Sequence, residues 1–224
     1  MRPSAEQQAK ARGEPFGYRC GRCMNCCHNY LIPVNPYDIA RLARRTGQTT
    51  GAFRETRTRD GQGVLLARKD GGACVFLDDG GCSVHSDRPL VCRLYPIWRS
   101  VSAEGIESWA HAAPHPRTKG DYAVTGTIAD FLDQQDAHAH IEAGDLYAEW
   151  MRRARRVMEH EPETAERDIL DIEGDDADLI DMDTAIARHC AAAGAAEPDD
   201  LEARTRLHLQ ILHRQLDDFE RGQP

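Results

Sequence analysis

The order of apolar and polar residues divides the chain into a first half of short strands and turns and a second half of helices. Beyond Gly126, apolar residues recur at helical spacing. This pattern predicts four helices, over residues 128–135, 146–160, 181–193 and 198–219. One earlier helix is also predicted, because Asn35 can cap it, Pro36 suits its first turn and Gly47 can end it.

Short β-forming runs separated by turn residues occupy the segment before Gly126. A strand is predicted over residues 64–67, and hairpins are predicted around the turns at 78–81 and 103–105. We therefore expect an α+β fold. A cysteine-rich module over residues 16–126 would pack with a helical region over residues 127–224, and the polar residues 1–15 are expected to be frayed.

Charge is distributed unevenly along the chain, whose net charge is −9. Residues 1–120 carry 18 basic and 11 acidic side chains, whereas residues 121–224 carry 10 and 26. The basic excess indicates either attraction between the two halves or arginines that offset an anionic ligand or metal-bound thiolates. Nucleic acid is not an expected partner, because the acidic half would repel phosphates.

Eight cysteines are the main chemical signal in the chain. No apolar run is long enough to span a membrane, and the N-terminus has no apolar secretion signal, so we expect a cytoplasmic protein. Thiols stay reduced in that compartment, which favours metal binding over disulfides. Cys190, in an alanine-rich run, is the exception and is predicted to be a small buried apolar residue.

The first cysteine group has the spacing Cys20-x2-Cys23-x2-Cys26-Cys27. Two intervening residues allow a tight turn to direct two sulfurs at one point, and a third cysteine suits an iron–sulfur loop. The side chains of neighbouring residues diverge, so Cys26 and Cys27 are not expected to bind one ion. One of them would then serve a second metal or a catalytic step.

A second group comprises Cys74, Cys82 and Cys92. The predicted hairpin would bring Cys74 and Cys82 side by side. Seven thiols exceed the four ligands of one zinc ion or one [4Fe–4S] cluster. The surplus indicates two sites, a multinuclear centre or free thiols beside a labile one.

These motifs, together with Pro-x-Asp-Ile-x-Arg-Leu at 36–42 and Arg-Pro-x-x-Cys-Arg-x-Tyr-Pro at 88–96, resemble the CxxCxxCC family. The resemblance covers about residues 16–126. It implies a zinc- or iron-chelating module, and relatives include the flagellin lysine N-methylases. A methylase-like enzyme and S-adenosylmethionine as a ligand are therefore implied by the resemblance alone.

The chain departs from the family pattern at one point, because members usually carry a further cysteine after the second hairpin. His115 stands there, and imidazole can replace a thiolate as a ligand of zinc or iron. Arg88 and Arg93 flank Cys92 and are candidate cofactor-binding residues, with pairing to the acidic half as the alternative. His28, His85 and His111 are weaker candidates.

Two residues outside the cysteine groups are expected to have ordinary roles. Asp38 would complete the cap of its helix, and His140, in a His-x-His pair, is expected to be exposed.

The sequence leaves three functions open. The first is an iron–sulfur protein that supports modification or redox chemistry on a peptide or small molecule. The second is a zinc module with a structural or binding role. The third is a metal-handling or redox-sensing protein with a labile site. The Cys-x2-Cys-x2-Cys loop favours iron–sulfur, because zinc sites more often pair two separate Cys-x-x-Cys knuckles.

Overall fold

The structure, a computed structural model, describes residues 10–28, 30–102, 104–111, 117–159 and 180–221. Within these ranges the helices are α1 (Pro36–Thr46), α2 (Thr50–Arg57), α3 (Leu90–Leu94), α4 (Ile128–Gln134), α5 (His138–Glu159), α6 (Met182–Ala193) and α7 (Leu201–Glu220). The strands are β1 (Leu77–Asp78), β2 (Gly81–Cys82), β3 (Ile97–Val101) and β4 (Glu107–His111). The expected α+β fold class is confirmed.

The chain divides into two compact units, each built from two separate stretches of sequence. Unit 1 comprises residues 1–33 and 68–139, and unit 2 comprises residues 34–67 and 140–224. Helices α1 and α2 therefore pack in the unit that holds most of the C-terminal helices. A compact unit is not the same as a domain that folds alone, so the domains over 16–126 and 127–224 stay a prediction.

Unit 2 is helical, and its helix ends follow the expected punctuation. Asn35 caps α1, since its side chain accepts a hydrogen bond from the Asp38 N–H at 2.9 Å, and Gly47 ends it with a φ of 68°. Asp200 caps α7 by accepting from the Ala203 N–H at 2.8 Å. The core of the unit consists of fully buried apolar side chains: Ile39, Leu42, Phe53, Met182, Ile186 and Leu212.

The described residues of unit 1 form two antiparallel hairpins and the short helices α3 and α4. Strands β1 and β2 pair Leu77 with Cys82 and are only two residues long. Strands β3 and β4 pair over five residues each, from Ile97 opposite His111 to Val101 opposite Glu107. Both predicted hairpins are present.

An extended N-terminal segment closes unit 1. The backbones of Lys10 and Trp109 exchange two hydrogen bonds of 2.9 Å, and Arg12 forms a bidentate ion pair with Glu107 at 2.6 and 2.8 Å. Trp109 is fully buried, together with three apolar residues of α4. The expectation that residues 1–15 are frayed is therefore wrong for residues 10–15, because main-chain pairing satisfies their polar backbone groups.

Three other local expectations need correction. Residues 64–67 form no strand but an isolated bridge between Thr58 and Leu66. Helix α5 starts at His138, about two turns before the predicted start. The short helices α2 and α3 were not predicted. No helix in the described ranges is long and apolar enough to cross a membrane.

Candidate metal centre

All seven cysteines predicted as ligands lie in unit 1, and each carries a free thiol. Their exposure differs: Cys20 is exposed and Cys74 is buried, while the other five are intermediate. We call the thiols of Cys26, Cys27, Cys82 and Cys92 the inner thiols and those of Cys20 and Cys23 the outer thiols, and we describe Cys74 separately.

Two of the inner thiols, those of Cys26 and Cys27, belong to a single 3-10 turn over Asn25–Cys27. The Cys27 thiol donates a hydrogen bond to Cys26, which lowers the pKa of Cys26 to about 7. The sequence indicates that neighbouring side chains diverge, and here they do not. Both cysteines lie in a single 3-10 turn, which is not a regular helix, and the backbone becomes extended directly after it, at His28.

Main-chain pairing brings the second cysteine group to the first. The Cys74 N–H donates to the Cys27 carbonyl at 2.8 Å, beside a bridge between His28 and Ala73. From there the β1–β2 hairpin carries Cys82, and helix α3 carries Cys92. Two separate stretches of sequence thereby converge on one side of unit 1.

Electrostatic interactions show which thiols are close to one another. The pKa of Cys27 is raised by its hydrogen bond to Cys26, by burial, and by the charges of Cys26, Cys82 and Cys92. The pKa of Cys82 is raised by burial and by the charges of Cys74 and Cys26. Cys27 thus lies within electrostatic range of Cys26, Cys82 and Cys92, and Cys82 lies within electrostatic range of Cys26 and Cys74.

The outer thiols have different surroundings. Cys20 accepts a hydrogen bond from the Arg22 N–H at 3.4 Å. Cys23 accepts one from the Asn25 side chain at 3.3 Å. Burial raises the pKa of Cys23, but hydrogen bonds from the backbone N–H groups of Asn25 and Lys119 outweigh this effect, and the pKa is lowered overall.

Close backbone packing fixes the position of the outer thiols. Residues 17–21 run beside residues 119–124, and the backbones of Arg19 and Asp121 exchange two hydrogen bonds of 2.9 Å. A Cβ atom on Gly21 would lie 2.1 Å from the Lys119 carbonyl oxygen. A Cβ atom on Gly120 would lie 2.2 Å from the Tyr18 ring. Only glycine permits this approach, so the loop between Cys20 and Cys23 is anchored by residues distant in sequence.

Arg88 is the cation associated with both thiol groups. Burial lowers the pKa of its guanidinium, and the charges of Cys92, Cys20 and Cys82 oppose this shift. Its side chain donates to the His85 carbonyl at 2.6 Å and to the Gln135 side chain at 2.8 Å. Arg88 is therefore held in place by neutral acceptors while its charge acts on the thiols.

Arg93 has a different position. It is buried and donates to three main-chain carbonyls, those of Arg88 at 3.0 Å, Gln135 at 2.7 Å and Ser86 at 2.5 Å. This arrangement ties the turn before α3 to the end of α4. Its predicted contact with a cofactor stays a prediction.

The histidine candidates are dispersed. His115 lies outside the described residues, so its predicted ligand role stays a prediction. His28 is exposed, and His85 lies within 3.5 Å of an Arg88 nitrogen. His111 packs between the rings of Phe16 and Tyr122, and its Nε2 is buried without a hydrogen-bond partner.

One buried polar pair in unit 2 was not predicted. His140 is 1% exposed, and its Nδ1 lies 2.8 Å from a carboxylate oxygen of Asp38. The expectation of an exposed His140 is wrong. Asp38 takes part in the cap of α1 through its N–H, as expected, and its carboxylate also pairs with His140. The sequence hints at burial of these residues only in that both lie on helices with apolar faces. Their pairing could not be predicted, because they are 102 positions apart and meet only in the folded chain.

The donor set of unit 1 fits zinc or iron, because thiolates suit both metals and N–H groups already point at the sulfurs. As they stand, no three His, Cys, Asp or Glu side chains among the described residues are placed so that they could hold an ion. The inner thiols are neighbours that must close further to share one metal.

Comparisons with known proteins give one match. The model of the CxxCxxCC family, described as a "Putative zinc- or iron-chelating domain", matches residues 19–115. This segment includes both the inner and the outer thiols. Searches among curated proteins and among solved structures found no match to the chain.

Proposed function

We propose that the protein binds an iron–sulfur cluster through its inner thiols, and the match of residues 19–115 to the model of the CxxCxxCC family, a "Putative zinc- or iron-chelating domain", supports this proposal. The observation that carries the proposal is the pairing of two cysteine-bearing stretches: the Cys74 N–H donates to the Cys27 carbonyl at 2.8 Å, and the charges of Cys82 and Cys92 act on Cys27. Four thiolates are the ligand set of a [4Fe–4S] cluster. When bound, such a cluster supplies one-electron redox chemistry, which would support a redox or modification reaction on a peptide or small molecule.

Charge around the inner thiols supports the proposal. Four thiolates on a cluster leave a net negative charge, and the half-buried guanidinium of Arg88 would partly offset it. The Cys82 sulfur also accepts from the Val84 N–H, and N–H donors to sulfur stabilise the charged form of a ligand. These features suit any thiolate metal centre, and the loop spacing in the sequence favours iron–sulfur over zinc.

A structural zinc site is the second candidate. The observation that favours it is the scarcity of regular structure in unit 1, where β1 and β2 are two residues long and α3 is five. Folds of this kind often depend on a metal for stability, and four cysteines form an ordinary tetrahedral zinc site.

The test is anaerobic purification of the full chain, followed by metal and sulfide analysis and a visible absorption spectrum. We expect iron, acid-labile sulfide and a broad band near about 400 nm. The variant Cys82→Ser should lose the band, and the matched variant Cys190→Ser should keep it, because Cys190 is buried in unit 2. Colourless protein with stoichiometric zinc would contradict the iron–sulfur proposal and support the zinc site.

A further inference from the structure

An open groove lies between helices α5 and α7 of unit 2. Its volume is about 870 Å³. Leu146 of α5 lines one side, and the face of α7 that runs from Arg206 to Arg221 lines the other. The groove thus belongs to unit 2, whereas the seven cysteines of the candidate metal centre belong to unit 1.

Part of the groove lining is apolar. Leu209 is 6% exposed and belongs to the core, while Leu146 beside it in the groove is 38% exposed. A ligand that covers Leu146 removes apolar surface from water, which favours binding. The groove therefore suits a ligand that has an apolar group as well as polar ones.

The charges at the C-terminal end of the groove are balanced within the chain. Arg153 of α5 pairs with Asp217 and with Glu220, each at 2.5 Å. Arg221 pairs with Asp218. The two carboxylates that line this end, those of Asp217 and Asp218, are thus already neutralised by arginines of the same unit.

Two further arginines of the groove, Arg206 and Arg214, have no such partner. Both are exposed, and in the described part of the chain neither guanidinium forms an ion pair or a hydrogen bond. Residues 121–224 carry 26 acidic side chains against 10 basic ones. Carboxylates are therefore plentiful in this half, yet these two arginines remain available to a ligand.

We propose that the groove binds an acidic peptide segment of a partner protein. Two carboxylates of the segment pair with Arg206 and Arg214, because a guanidinium presents a planar set of donors that matches a carboxylate. An apolar side chain between these carboxylates covers Leu146. Gln210, exposed between the two arginines, offers its amide group to the backbone of the peptide.

The spacing of the arginines fits an extended peptide. Arg206 and Arg214 are eight residues apart on α7, which separates them by about 12 Å along the helix axis. An extended chain advances about 3.3 Å per residue, so acidic residues four positions apart are separated by about 13 Å.

The test measures binding to the full chain by fluorescence anisotropy. The probe is a fluorescein-labelled peptide that repeats Glu-Leu-Glu-Ser, and the neutral control peptide has glutamine in place of each glutamate. The unaltered chain should bind the acidic probe about tenfold more tightly than the neutral peptide, and added sodium chloride should weaken this binding. Circular dichroism shows whether each variant remains folded.

The variants Arg206→Gln and Arg214→Gln should each weaken binding of the acidic probe by about threefold to fivefold, and the double variant by about tenfold or more. Leu146→Ser should weaken it by about threefold through lost apolar contact. The matched control is Arg155→Gln. Arg155 is exposed and lies nine residues after Leu146, on the opposite face of α5, so this variant should bind like the unaltered chain.

Three results would overturn the proposal. The first is an unaltered chain that does not distinguish the acidic from the neutral peptide. The second is a double variant that binds as tightly as the unaltered chain, or a loss in Arg155→Gln as large as that in Arg206→Gln, which would reflect net charge alone. The third is a dimer in analytical ultracentrifugation that dissociates in the double variant, because the groove would then hold a second copy of this chain.

Discussion

The substitution Gly21→Ala tests whether close backbone packing positions the outer thiols. The added Cβ would lie 2.1 Å from the Lys119 carbonyl oxygen, and real Cβ contacts below 3.0 Å essentially never occur. The two segments must therefore separate by about 1 Å. Gly21 has no positive φ, so the effect arises from space and not from backbone strain.

The expected cost follows from what the separation breaks. Overpacking of this kind costs about 1–3 kcal/mol, and each of the two hydrogen bonds between Arg19 and Asp121 contributes about 1 kcal/mol. A total of about 2–5 kcal/mol corresponds to a fall in Tm of about 5–15 °C for a chain of this size. The hydrogen bond from the Lys119 N–H to the Cys23 sulfur should also weaken, because the two segments move apart.

The assay is a thermal melt followed by circular dichroism, combined with amide hydrogen exchange at Arg19 and Asp121. The control is Gly13→Ala, because no atom lies within 4 Å of a Cβ at that position and its φ is ordinary. The control should change Tm by less than about 2 °C. Equal Tm values for the two variants, with unchanged exchange at Arg19, would refute the packing argument.

Four further predictions follow from individual side chains. Arg12 holds the pKa of Glu107 down to about 2. The ionised Glu107 carboxylate therefore contributes fully to stability above about pH 5, and this contribution is lost as the pH falls towards 2. Urea melts of Glu107→Gln should differ from those of the unaltered chain at about pH 6 and converge with them near pH 2. Arg88→Gln should lower the reduction potential of a bound cluster, measured by redox titration, while a potential equal to that of the unaltered chain would show that its charge does not act on the metal. Arg93→Met should cost about 3 kcal/mol in a denaturant melt, because three carbonyls lose a buried donor, and a cost below about 1 kcal/mol would contradict that role. If His115 is a ligand, His115→Ala should release metal to a chelator faster at pH 7; an unchanged rate would remove it from the ligand set.

Local signals in the sequence predicted the helices and hairpins well. The cap at Asn35 and the stop at Gly47 appear where expected, because both depend on backbone groups a few residues away. The turn at 78–81 is also local. The start of α5 was missed because its first residues carry few apolar side chains, and helix formation there is supported by tertiary packing such as that of His140.

The ligand candidates were visible as cysteines, but their grouping was not. Spacing placed Cys20, Cys23 and Cys26 together, but it gave no sign of the charge interaction between Cys26 and Cys82. The surroundings of the cysteines depend on the pairing of Cys74 with Cys27 and on the close approach of Gly21 to Lys119. Both bring together residues far apart in sequence, and no periodicity encodes such contacts.

X-ray absorption spectroscopy of the metal in the anaerobically purified full chain tests the central claim most directly. The account predicts an iron edge, a first shell of sulfur alone and an iron–iron distance that reports a cluster. In Cys82→Ser this signal should be lost or should gain an oxygen ligand. A shell dominated by nitrogen or oxygen, or a sulfur shell unchanged in Cys82→Ser, would contradict the claim that the inner thiols hold the metal.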